Sequence, residues 1–321
     1  MAECVCSAPA YPKIAWESTD CPLCGGNRRT IITTAQDFDA PPPQPCYTVV
    51  RCLDCDLCYT NPRPSEADIG RFYYDGYVPH QLQSVRPKRN GKFRQCRRSI
   101  TSKMRPDWEH GEIKPIGQNR LLDFGCGSGG FLHVMYQRGW QVLGIDFSSK
   151  AVQQVQEELG LPALAGTLPH PDLAPSSFDL ITLWHALEHV HQPLDVLCEI
   201  HRLLAPGGKV LVAVPNIDSA PFHWFPQAWF GLDLPRHLTH FTPVTLKEML
   251  YRAGFQFEAI QMARHSYWLR QSVQRACRRG KISLPLKLLQ YNLPSSFVSR
   301  CYLLAGRSDS FIMIAKKPDE M

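Results

Sequence analysis

Three groups of residues in this chain have types and spacings that can do chemistry. The first is a glycine turn, LLDFGCGSGGF at 121–131. Gly125, Gly127 and Gly130 satisfy the dinucleotide spacing G-x-G-x-x-G, while Gly125, Gly127 and Gly129 satisfy a tighter G-x-G-x-G. Either pattern brings backbone amides close to a nucleotide-linked ligand at the start of a helix, and the glycines alone leave both open. The second group is two Cys-x-x-Cys units, Cys21/Cys24 in CPLCGG and Cys52/Cys55 in RCLDCDLC, with 27 residues between them. Both thiolates of such a unit can approach one ion at about 2.3 Å, and two units close a tetrahedron around structural zinc. Cys58 extends the second series as a further candidate. The third group is histidine. WHALEHVHQP gathers His185, Glu188, His189 and His191, and PRHLTHFT gathers Arg236, His237 and His240. Imidazole takes protons near neutral pH, so these segments hold the candidate bases, with Arg236 a candidate clamp for an anionic acceptor.

These groups need elements to hold them. From Arg120 onward, apolar runs alternate with helical patterns. RLLDF, WQVLGID, PALAG, FDLITLW, GKVLVAVP, FQFEAIQM and SFIMIAK read as strands, with helices at 129–138, 149–159, 193–204 and 243–253. The alternation predicts an α/β fold, a largely parallel sheet covered on both faces that binds ligands beyond its carboxyl ends. Upstream, residues 1–18 are expected to fray and 19–62 to form a small cross-linked module stapled by its metal. Residues 63–117 read as a connector in which PRPSEADIGRFYYDGY gives a capped helix and an aromatic patch. Residues 118–321 form the main domain, with an aromatic substrate lid at 216–242 and a basic helical insertion at 264–308. In SYWLRQSVQRACRRG the spacing places Trp268, Ser272 and Ala276, with Leu269, Val273 and Cys277, on one stripe. Arg270, Gln274, Arg275 and Arg278 face away from it.

At 321 residues the chain has room for a large core, and it carries neither a long apolar run nor an export signal at its start. Cytoplasmic residence, reduced thiols and no stable membrane insertion are expected, with Cys96, Cys126, Cys198, Cys277 and Cys301 as ordinary, partly buried side chains. The net charge of +6 hides two bands. Residues 86–105 and 259–308 each hold nine Lys or Arg and no acid, leaving 17 cations against 29 Asp or Glu elsewhere. Such bands suit anionic partners: nucleic acid, nucleotide-linked or acyl-phosphate substrates, an acidic carrier protein or a membrane surface.

The neighbours of the glycines separate the two cofactor patterns. Asp123 is poorly placed beside an anionic pyrophosphate and well placed for the ammonium of a methionine moiety. Asp146, ending the next strand, can accept from both ribose hydroxyls, and Phe147 offers a flat surface to adenine. The set LLDFGCGSGGF, GIDFS, SFDLITLWHALEHV, LLAPGGKVLVAVPN and PRHLTHFT resembles the class I S-adenosylmethionine (SAM)-dependent methyltransferases over about residues 115–318. CPLCGG and RCLDCDLCYTNPRP resemble the zinc-ribbon module attached to a subset of them, with Asp56 replacing that module's second glycine.

The resemblance implies a Rossmann-like seven-stranded sheet of order 3-2-1-4-5-7-6, its last strand, SFIMIAK, antiparallel, with a small N-terminal zinc ribbon. It implies SAM as cofactor, S-adenosylhomocysteine as product and structural Zn2+ on Cys21, Cys24, Cys52 and Cys55. Asp123, Gly125, Cys126, Gly127 and Gly129 would line the methionine and ribose side. Asp146 would hold the ribose, Phe147, Thr167 and Leu168 would lie near the adenine, and Trp184 would close under the sulfonium. Zinc-module sugar C-methyltransferases have a histidine at the position of His237, preceded by Glu where this chain has Arg236. Quinone O-methyltransferases, whose site is metal-assisted, share L-E-H-V and carry Glu in place of His185. The implied reaction is methyl transfer to carbon or oxygen of a small-molecule biosynthetic intermediate, anionic or carrier-bound, assisted by His237, His189, His185 or His240. Two alternatives stand beside it. A zinc-ribbon rRNA-type methyltransferase would use the basic bands, although the second knuckle is not C-x-x-x-H and no N-P-P-[YF] follows the fourth strand. The other is a non-catalytic SAM-binding or carrier-docking protein whose pocket has lost activity, against which stand the intact Asp123, Asp146 and histidine loop.

Overall fold

The computed structural model describes residues 14–38, 40, 45–73, 113, 115–280 and 282–319; the basic stretch 86–105 and most of the connector lie outside them. At the start, β1 (Trp16–Glu17) pairs antiparallel with β5 (Arg63–Pro64). Between them β2 (Arg29–Gln36), β3 (Cys46–Cys52) and β4 (Cys58–Thr60) form an antiparallel meander. Residues 14–18 are therefore held where fraying was expected: Ala15 N donates to Asp68 at 2.7 Å and Arg63 meets Glu17 at 2.7 Å. The same contact bears on a second difference. Asp68 faces Ala15 and Arg71 and makes no side-chain cap, and Ile69–Phe72 form one 3-10 turn where a capped helix was expected to start; residues 74–77 of that stretch lie outside the described residues.

Beyond Arg120 the elements are β6 (Arg120–Phe124), α1 (Gly130–Gln137), β7 (Gln141–Asp146), α2 (Ser149–Leu159), β8 (Ala163–Ala165), β9 (Phe178–Trp184), α3 (Pro193–Leu203), β10 (Leu204–Pro215) and α4 (Ala220–Trp224). Next come β11 (Thr239–His240), α5 (Pro243–Arg252), β12 (Gln256–Ala263), α6 (Ser266–Arg278), α7 (Leu284–Lys287), α8 (Asn292–Leu304) and β13 (Ser310–Lys316). Seven strands order as β12-β13-β10-β9-β6-β7-β8, with β13 antiparallel to both neighbours. This is the order that the resemblance implies. The near-continuous apolar runs of β9 and β10 are buried because helices cover both faces. Ser148 caps α2 by accepting from Ala151 N at 3.2 Å, and Gly160 ends it in a left-handed conformation. In α3, Val196, Leu197, Ile200 and Leu203 form the buried stripe, each contributing about 1.5–3 kcal/mol.

Two segments depart from the sequence expectation. Residues 216–242 pack into the body where a lid was expected. β11, from this segment, adds a fourth strand beside β4 (Thr239 opposite Tyr59, His240 opposite Cys58). Trp229, Leu232, Leu234 and Leu238 share one apolar cluster with Ala35, Tyr47 and Val49 of the meander. The aromatic run has a partner within the chain, and burial there outweighs exposure as a flap. In α6, Arg275 is buried where it was expected to face solvent, because its guanidinium stacks over the Phe38 and Phe230 rings at 5.1 and 4.6 Å. Cys198 and Cys301 are exposed thiols, not partly buried ones.

Candidate active site

The glycine turn joins the end of β6 to α1. Gly125 N and Cys126 N donate to Ile145 O at 2.8 and 3.1 Å, and Gly127 N donates to Asp146 Oδ2 at 2.8 Å. The other oxygen of Asp146 takes Ser148 N at 2.8 Å, so this carboxylate ties the turn to the end of β7. Gly125 has a φ of +74°, and a Cβ there would lie 2.7 Å from the Ala186 side chain. The turn thus touches the histidine loop directly. A Cβ on Gly127 would meet nothing within 4 Å, which makes it the open face of the turn.

Asp123 is buried at the end of β6, accepting from Thr182 Oγ1 at 2.7 Å; burial pushes its carboxyl up to about 7. Phe147 is 68% exposed beside Gly70, and Thr167 is exposed at the end of β8. Leu168 is buried in the core, and the Trp184 ring meets Phe131 edge-on at 5.2 Å. Cys126 differs from expectation: its side chain turns into the core against Gly144 and Leu132, leaving only its backbone in the turn. An open turn, a carboxylate at the end of β7 and an exposed aromatic ring beside it fit the adenosyl portion of SAM.

On the facing side, His185, Glu188, His189 and His237 come together. His237 Nδ1 lies 2.9 Å from Gly231 O, so it carries the ring proton and donates. Nε2 keeps its lone pair, 4.0 Å from Glu188 and 3.9 Å from Asp233. Burial, reinforced by His189, lowers the His237 pKa to about 4, keeping the ring neutral at pH 7. His189 packs edge-on against it with centroids 4.6 Å apart. Its Nδ1 lies 3.1 Å from Arg236 O and 2.9 Å from Tyr73 Oη, so a proton there serves oxygens and Nε2 is left as the second lone pair.

Glu188 is fully buried. Burial alone would raise its carboxyl, but the hydrogen bond with His185 at 3.3 Å and the surrounding imidazoles hold it below the usual range. Its Oε2 has no hydrogen-bond partner among the described residues. One donor atom each from Glu188, His189 and His237 lies within 4.8 Å of the others, a spacing that also fits a divalent cation. His185, at φ +52°, packs against the Trp268 ring at 5.4 Å.

Three candidates are committed elsewhere. Thr60 Oγ1 gives its single proton to His237 O at 2.7 Å, so the 3.1 Å contact with His240 has His240 Nε2 as donor. His240 is thereby a strut between β4 and β11; burial lowers its pKa to about 3. Arg236 does not face an anionic acceptor. It is 1% exposed, and its five N–H bonds go to Asp37 (3.1 and 3.1 Å), Asp233 (2.7 and 3.1 Å) and Phe72 O (3.3 Å). His191 is likewise structural, bonded to Pro64 O at 3.0 Å.

Asp37, Thr60, Tyr73 and Asp233 are the residues that sequence reasoning passed over. Asp233 stands four positions before His237 and was legible on spacing; the others come from the distant N-terminal segment.

In that segment the sulfurs of Cys21, Cys24, Cys52 and Cys55 lie within 4.8 Å of one another, with Cys21–Cys55 at 3.4 Å and Cys24–Cys52 at 3.5 Å. Gly26 N and Asp54 N donate to Cys24 and Cys52 sulfurs at 3.4 Å. Ligands about 2.3 Å from one ion are about 3.8 Å apart in a tetrahedron, so the set fits zinc. Cys58 lies apart, its sulfur 3.7 Å from Asp56 O.

Comparison with known proteins agrees with this geometry. A family model described as a methyltransferase domain matches residues 82–260. The ubiquinone biosynthesis O-methyltransferase of Paracidovorax citrulli is 32% identical over 132 residues, 37% of this chain and 52% of that protein. Its counterpart in Pseudomonas aeruginosa strain PAO1 is 36% identical over 107 residues, 32% and 46% of the two chains. The chain spans about half the length of these curated relatives. A solved SAM-dependent methyltransferase from Mesorhizobium loti is 20% identical, covering 64% of this chain and 93% of its own, with a TM-score of 0.45. With the family model matched over more than half its length and the strand order in place, the chain belongs to the class I SAM-dependent methyltransferase family.

Proposed function

We propose that the protein methylates an oxygen or carbon of a small-molecule acceptor, with His237 as proton acceptor. SAM, when bound, would supply an activated methyl group, with the neutral thioether of S-adenosylhomocysteine as a leaving group that needs no acid assistance. The remaining work is alignment and removal of the acceptor's proton. The Gly127 face of the turn, Asp123 and Asp146 would hold the cofactor, with Phe147 against the adenine. The observation that carries the reading is the tautomer of His237: with Nδ1–H on Gly231 O, the Nε2 lone pair is free to take a proton, and Glu188 and Asp233, 4.0 and 3.9 Å away, offset the burial that disfavours the imidazolium. Glu188 and His189 stand beside it to orient an acceptor hydroxyl. The quinone-pathway names of the curated relatives favour an oxygen acceptor on a ring, without fixing which. Structural zinc at the four cysteines would tie together the segment that carries Thr60 and Asp37.

A second reading draws on the unpartnered Glu188 Oε2: a divalent cation on Glu188, His189 and His237 would lower the acceptor's pKa in place of a base. The test is methyl-labelled SAM offered to fractionated small molecules, carrier proteins and RNA. Label is expected in the small-molecule fraction, and label confined to RNA contradicts the proposal. With that acceptor, His237→Gln should lower turnover by about 10²–10⁴ while SAM affinity holds. Activity lost on chelation and restored by Mg2+, at unchanged zinc content, would favour the cation reading.

A further inference from the structure

Helix α8 leaves much of its apolar surface outside. The side facing the body buries Tyr302, with Val298 packed beside it, but also Ser295 and Ser299, whose hydroxyls accept from Arg270 and Arg264 at 3.4 and 3.1 Å. The outward stripe carries Leu293, Phe297 and Leu304, which are 85, 69 and 88% exposed. Leu284, Leu288 and Tyr291, from α7 and the turn after it, add exposed apolar surface next to it in the chain. A surface helix ordinarily hides its large apolar residues and shows its serines to water; the arrangement here marks a contact surface. Cations interleave with it. Lys287 stands between Leu284 and Leu288, and Arg300 between Phe297 and Leu304, all exposed, and residues 259–308 contain no acid to neutralise them.

We propose that this face docks on an anionic lipid surface. Leu293, Phe297 and Leu304 would enter the boundary between headgroups and acyl chains while Lys287 and Arg300 meet phosphates. The chemistry favours lipid over the other occupants. Nucleic acid would engage the cations and leave the leucines and phenylalanine wet. A second copy, packed face to face, would set cation against cation. No helix among the described residues is long and apolar enough to cross a membrane, so the docking is peripheral. Through α6, which packs on α8 and carries Trp268 against His185, the docked face would hold the histidine cluster near the bilayer. That last consequence rests on the proposed function; the docking does not.

The test is flotation of the full chain with vesicles of phosphatidylcholine, with or without phosphatidylglycerol. Binding is expected to be at least about tenfold greater on the anionic vesicles and to fall with salt. Leu293→Ser/Phe297→Ser should reduce it at least about tenfold at an unchanged melting temperature, and Arg300→Glu should weaken it on anionic vesicles only. Equal binding to both vesicle types, no binding, or full binding by the double serine variant would overturn the proposal. So would a dimer in sedimentation that Phe297→Ser dissociates, or retention on RNA that Arg300→Glu abolishes and the double serine variant leaves intact without vesicle binding.

Discussion

The glycine turn and the histidine cluster touch at Gly125 and Ala186, yet they are built in different ways. The turn is a local object: the hydrogen bonds that shape it fall between Gly125 and Ser148, and a short stretch of β6, α1 and β7 fixes it. The cluster is assembled from a distance. His189 comes from the loop after β9, His237 from the segment before β11, Tyr73 from the end of the 3-10 turn, and Thr60 and Asp37 from the N-terminal meander. Closing such separations costs chain entropy that only burial and buried polar bonds can offset. The N-terminal cysteine-bearing segment therefore stands behind His237 and Arg236, while none of the hydrogen bonds that shape the glycine turn comes from it.

Perturbing the shared network should separate the two regions most. Arg236→Met removes the guanidinium between the buried Asp37 carboxylate and the partly buried Asp233 carboxylate, and with it the charge-assisted bonds to both. A loss of about 3–5 kcal/mol in denaturant unfolding is expected. SAM affinity of the folded fraction should change less than about twofold, since the turn shares none of these bonds. A larger fall in affinity would mean the regions are coupled through more than Gly125.

Gly125→Ala attacks the one place where they meet. Its left-handed backbone and the 2.7 Å approach to Ala186 should cost on the order of 1–3 kcal/mol. SAM affinity and turnover should fall together by about tenfold or more, as measured by calorimetry and label transfer. Turnover falling alone would place the strain wholly on the histidine loop.

Titration sharpens the cofactor side. With the Asp123 carboxyl near 7 in the free protein, a cationic ligand favours its ionised form, so SAM affinity should be full above pH 7 and weaken as pH falls through it. The slope should approach, at most, about tenfold per pH unit, and Asp123→Asn should flatten it. An unchanged pH profile in the variant would remove Asp123 from contact with the charge.

The same contrast explains what was legible beforehand. The seven strands of the large sheet could be read because each is a short apolar run bounded by Gly, Pro or polar turns. The glycine turn and the cysteine pairs are spacing motifs that need no tertiary information. Arg236 and Arg275 could not be read: a cation next to histidines looks like a clamp for an anionic acceptor, and one on the polar side of a helix pattern looks solvated, until Asp37 or Phe38 arrives from some two hundred residues away. His240 was another case. Its type suited a base, but the single proton of Thr60 turns it into a donor.

The dependence of the acceptor side on the N-terminal segment is tested most directly by Asp37→Asn, which keeps the shape and removes one charge from the Arg236 network. Calorimetric SAM affinity should stay within about twofold, while amide exchange at Leu238, whose N–H is held by Glu188 O at 2.8 Å, quickens and label transfer falls at least about tenfold. Undiminished transfer with Leu238 still protected, or SAM affinity lost in step with transfer, would contradict it.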